Sequence, residues 1–120
     1  VSTSDVFIAL VALATGVAIS GLWTMLLVTH QVPEIREHDI AIRYHLAAEY
    51  LLAAALVAAG AATISGASFA TPLAAAAFGG LLYSSINSAG HYAKLGQRAF
   101  VAMFGVVDVL AVAGLVAVGR

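Results

Sequence analysis

Apolar positions run through this chain in four long blocks, near residues 6–29, 44–64, 72–92 and 99–118, separated by short polar connections. Each block has about the 20 residues that an α-helix needs to cross a hydrocarbon core. The pattern predicts an all-α integral membrane protein, a four-helix antiparallel transmembrane bundle in which residues 1–120 form a single domain. Between the first two spans, Pro33 suits the first turn of a helix, and Glu34 and Glu37 suit its positive end. A short interfacial helix over residues 33–39 is therefore expected.

Composition supports lipid as the solvent. Hydrophobic residues make up 62% of the chain and charged residues 9%, and the mean hydropathy is +1.03. A soluble domain of this size would lack a polar surface. Span 1 opens with Ser, Thr and Asp5, lacks a basic leader and exceeds a signal core of about 7 to 15 residues, so it is expected to be a permanent helix. Without cysteine there is no disulfide, thiolate metal site or thiol nucleophile. A net charge of −1 argues against a nucleic-acid partner.

Basic residues set the expected orientation. Arg36 and Arg43 lie between spans 1 and 2, Lys94 and Arg98 between spans 3 and 4, and only Arg120 lies at the other side. The positive-inside rule then places both connections in the cytoplasm and both termini outside, an N-out/C-out topology. The expected location is a prokaryotic plasma (inner) membrane, with multiple passes. Gly16, Ser20, Trp23, Leu27 and His30 form one stripe on span 1 that should face protein. Gly60, Gly79, Gly80, Gly105 and Gly114 should let helix backbones approach closely, within the bundle or between protomers. The expected partners are thus the lipid bilayer and either a homo-oligomer or partner membrane subunits.

Comparing helices by depth, at about 1.5 Å per residue, gathers the polar residues into layers. His30, His45 and His91 fall at the basic interface, Glu49 and Asn87 roughly 8 Å deeper, and Tyr83 and Asp108 about 14 to 15 Å down, near the midplane. His45 and Glu49 share a face of span 2 at i and i+4, and Tyr83, Asn87 and His91 form a row on span 3 with Ser84 and Ser88 beside it. The expectation is a pocket with His45, Glu49, Asn87 and His91 at its mouth and Tyr83 with Asp108 at its floor. A carboxylate at Asp108, in the middle of a span, costs about 2.5 to 3.5 kcal/mol on an insertion scale and should face the interior.

Glu49, Tyr83, Asn87 and Asp108 are the candidate ligand-binding residues, and His45, His91 and His30 the candidate metal ligands. A histidine with a carboxylate one turn away is an arrangement that orients imidazole on a divalent metal, and His45 with His91 are the pair for axial haem ligation. A di-iron carboxylate site is disfavoured because Glu34 and His38 stand at i and i+4 and no second copy of the motif occurs. No nucleophile elbow accompanies Ser84, Ser85 or Ser88, so serine hydrolase chemistry lacks support.

In size the chain resembles the small multidrug resistance exporters, which look to a membrane-embedded glutamate in their first span. Span 1 here has no acid between Asp5 and Glu34, and their function is not carried over. The segment from Pro33 to Tyr50 resembles that of small prokaryotic four-span proteins without assigned function. The leading expectation is a non-enzymatic, transporter-like protein whose cytoplasm-facing pocket binds a cation, protons or a small ligand. The alternatives are an accessory or anchor subunit of a membrane redox complex holding haem or a quinone, and a small membrane enzyme acting on a lipid or isoprenoid.

Overall fold

The structure, a computed structural model, describes residues 1–120 and is all-helical. Its elements are α1 (Thr3–Val28), α2 (Pro33–Arg36), α3 (Ile40–Ser65), α4 (Ala70–Lys94) and α5 (Arg98–Val118). The molecule measures 46 × 25 × 20 Å. Helices α1, α3 and α5 are long and apolar enough to cross a membrane. Helix α4 has the length, but Tyr83, Ser84, Ser85, Asn87, Ser88 and His91 lower the hydropathy of its second half.

Capping explains why two helices begin earlier than the apolar blocks. Ser2 Oγ accepts from the Asp5 N–H at 3.1 Å, and Asp5 Oδ2 accepts from the Ser2 N–H at 3.1 Å, which starts α1 at Thr3. Asp39 Oδ1 accepts from the Ala41 N–H at 2.9 Å and starts α3 at Ile40. The segment expected to be helical over residues 33–39 forms one turn only, because His38 adopts a left-handed φ of 56° and Asp39 is already the cap of the next helix.

Four helix ends close in one way. A backbone N–H reaches back five residues at Gln31 to Leu26 (2.9 Å), Asp39 to Glu34 (3.0 Å), Ala67 to Ala62 (3.0 Å) and Gln97 to Tyr92 (3.0 Å). The residue before each donor is left-handed: His30, His38, Gly66 and Gly96. This is the Schellman closure that glycine usually serves; two histidines carry it here.

Antiparallel packing produces two hairpins, α1 with α3 and α4 with α5, joined mainly along α3 and α4. Glycine permits the closest approaches. A Cβ at Gly16 would lie 2.9 Å from the Ala53 carbonyl oxygen, one at Gly60 2.6 Å from Leu13 Cγ, and one at Gly114 2.8 Å from the Phe78 ring. Gly79 and Gly105, expected at close approaches, instead have open space where a Cβ would point. The core, built around Phe78 and Leu56 with Ala12, Ala59, Ala77 and Ala111, fills the half of the bundle nearest the termini.

Candidate functional site

The polar residues occupy the other half, toward the turns that carry Arg36, Arg43, Lys94 and Arg98. Glu49 projects from α3 into the bundle and is only 7% exposed. The Ser84 hydroxyl on α4 donates to Glu49 Oε1 at 2.5 Å. One helical turn toward the charged end, His45 Nε2 lies 3.8 Å from the same oxygen. The His45 ring meets Trp23 of α1 edge-on, with centroids 5.6 Å apart. Three helices therefore set this carboxylate, and His45 is the basic side chain paired with it.

Beside it, the buried Ser85 hydroxyl donates to the Phe104 carbonyl at 2.9 Å. In a regular helix that carbonyl also takes the Asp108 N–H, so Ser85 sits on the turn that bears Asp108. Asp108 Oδ1 is buried and has no hydrogen-bond partner. The Ser85–Phe104 bond and the Phe78–Gly114 contact fix the register of α4 against α5. At about 1.5 Å per residue they put Asp108 between level with the Glu49–Ser84 layer and roughly 4.5 Å deeper. The interior thus holds the Glu49 carboxylate of α3, bonded to Ser84, and one unpartnered carboxylate oxygen of Asp108 on α5.

Two residues of the expected pocket are not in it. Tyr83 is 73% exposed and Asn87 is exposed, so Tyr83 forms no floor with Asp108 and Asn87 lines no mouth with Glu49. The inward stripe of α4 runs through Ala74, Ala77, Phe78, Leu81 and Ser85, and Tyr83 and Asn87 lie two residues, about 200°, around the helix from Leu81 and Ser85. Ser84 and Ser85 take the place assigned to that row. The signal for them was the apolar series from Ala74 to Leu81, which continues at helical spacing into Ser84, Ser85 and Ser88.

The three histidines assigned to a metal also lie apart. His30 is exposed, ends α1 with a left-handed φ of 58°, and its carbonyl takes a hydrogen bond from Arg36 at 3.5 Å. His91 is exposed and packs edge-on against Tyr92 at 5.2 Å. Tyr92 in turn stacks on Phe100 (4.8 Å) and Phe104 (5.7 Å), closing the α4–α5 turn. No three His, Asp or Glu side chains converge as a ligand set. The Glu49–Ser84 bond sets Ser88 level with His45 and leaves His91 about 4.5 Å further along, an offset that does not suit a shared haem. At the opposite end lie two clefts of about 430 and 510 Å³ that share Ser4, Ala117 and Arg120 in their walls.

A family profile matches residues 3–118, the whole run from the start of α1 to the end of α5. The chain belongs to that family, a domain of unknown function (DUF8058). In this DUF8058 chain Glu49, Ser84, Ser85 and Asp108 all fall inside the matched region. No curated protein and no solved structure matches the chain. The arrangement offers a buried carboxylate with one hydroxyl donor, an imidazole leading toward the charged surface and a second carboxylate within one turn in depth. Such a set can hold an exchangeable proton or a small cation.

Proposed function

We propose that this chain is a non-enzymatic four-span protein of a prokaryotic plasma membrane, N-out/C-out, in which Glu49 takes up a proton or small cation from the cytoplasmic side. Helix α4 runs antiparallel to α3 and α5 and is joined to each by a short turn, which supports a crossing for α4 beside theirs. Arg36, Arg43, Lys94 and Arg98 gather at one end and favour the cytoplasm for it, with α2 lying in that interface.

The observation that carries the functional reading is the buried Glu49 carboxylate, held by Ser84 and approached by His45 alone among basic groups. A carboxylate at such depth is costly unless a cation or proton accompanies it. His45, exposed at the rim and within 3.8 Å, hands the cation or proton on to Glu49. Asp108 is the next acceptor inward, and alternating access carries the charge through the apolar half.

Purified protein in sealed liposomes, read with an internal pH dye and in parallel with sodium- and potassium-sensitive dyes, tests this. Wild type should pass one of these ions; Glu49→Gln should abolish the flux, and His45→Ala should slow it. Silent wild type, or equal flux through Glu49→Gln, rejects the proposal.

A further inference from the structure

We infer that the outward face of α4 binds a second copy of this chain, with Asn87 meeting Asn87 across a two-fold axis along the membrane normal. The inference rests on the four-span reading for α4 and adds a partner to it. That face carries Ala76, Gly79, Tyr83, Ile86, Asn87 and Gly90, spaced mainly three and four residues apart along one side of the helix. Nothing in the chain covers it: Tyr83 is 73% and Ile86 56% exposed. At Gly79 and Gly90 no atom lies within 4 Å of where a Cβ would stand.

The amide of Asn87 decides what covers this face. It brings two donors and an acceptor, and it stands seven residues from Lys94, about 10 Å along the helix from the charged end. Lipid tails offer it no hydrogen-bond partner at that depth. A different protein would need a matching polar group at the same level. A second copy supplies one by symmetry, because copies inserted in one orientation bring the two amides to equal depth, and an amide complements itself. The Tyr83 ring of each copy then packs over the open Gly79 backbone of the other. Lys94 of the two copies also approaches, beyond the hydrocarbon edge where water and salt screen the repulsion.

Other outward faces contrast with this one. Helix α5 presents Val106, Val109, Val112 and Val116, and α1 presents Leu10, Val17 and Leu22, all suited to lipid. Two outward hydroxyls on α1 and beside it already have partners: Thr24 pairs with Tyr50 at 2.8 Å, and Thr29 bonds back to the Met25 carbonyl at 2.7 Å.

The chain has no cysteine, so single thiols can be placed without background. In native membranes, Ile86→Cys and Gly90→Cys should cross-link into dimers several-fold more than Val17→Cys and Val109→Cys. In liposomes of increasing lipid-to-protein ratio, read by energy transfer between labelled copies, Asn87→Leu should weaken dimerisation about three- to thirtyfold, the range expected for an interhelical polar bond. Equal cross-linking from every face, or a wild type that is monomeric at all dilutions, overturns the inference. A membrane-impermeant maleimide separates the two failures. Should Ile86→Cys react as fast as Arg98→Cys, α4 lies in water and both the four-span reading and the dimer fall; a shielded but uncross-linked thiol removes the dimer alone.

Discussion

The two halves of the bundle use the same four long helices for different ends. In the half nearest the termini, Phe78 fits against Gly114, and Gly16 and Gly60 bring α1 within backbone contact of α3, with alanine filling the spaces between. In the other half, hydrogen bonds and aromatic edges replace close packing, at Ser84 with Glu49, Ser85 with Phe104, and Trp23 with His45. The small residues hold the helices at one end, and at the other the polar side chains themselves make the contacts between helices.

That division fails if substitutions in the two halves have interchangeable effects. The largest change should come from Phe78→Ala, which empties a fully buried site and should cost about 3–5 kcal/mol of stability, measured as detergent-induced unfolding in mixed micelles. Next comes Gly16→Ala, whose new methyl meets a backbone oxygen that cannot rotate away, with an expected loss of about 1–3 kcal/mol. Gly21→Ala, where space is open, should be neutral or gain up to about 1 kcal/mol through helix propensity. The smallest effect is expected for His30→Gly, which keeps the left-handed turn and should leave stability within about 1 kcal/mol and ion flux intact. A large flux defect in His30→Gly would return that histidine to the site.

Much of the fold was legible along the chain because length is a local property. The block lengths announced four long helices, whereas the caps at Ser2 and Asp39, which start two of them earlier, were not read from the pattern. The pairing of His45 with Glu49 was legible for the same reason, since i and i+4 share a face whatever the helix packs against. The rotation of α4 was not. In a water-soluble helix the apolar side is the buried side, whereas α4 carries apolar residues both on its inward stripe and at the exposed Ile86, and periodicity cannot tell the two sides apart. Tyr83 with Asn87 and Ser84 with Ser85 and Ser88 offered two polar rows on one helix, and only the fit of Phe78 beside Gly114 selects the serines. The ends of α1 and α2 were hidden for a different reason: histidine fills the left-handed position that glycine would have advertised.

The Ser84–Glu49 contact is the side-chain hydrogen bond that spans the seam between the α1–α3 hairpin and the α4–α5 hairpin; Thr24 with Tyr50 and Ser85 with Phe104 each stay within one hairpin. Helices α3 and α4 meet less extensively than the two helices within either hairpin, which makes the seam the softer joint. On the proposed reading, a proton or cation arriving at Glu49 shares that carboxylate with the Ser84 hydroxyl, and so bears on the one side-chain hydrogen bond across that joint. With Glu49 as the proposed site, its occupancy and the angle between the two pairs of helices are linked through that single bond.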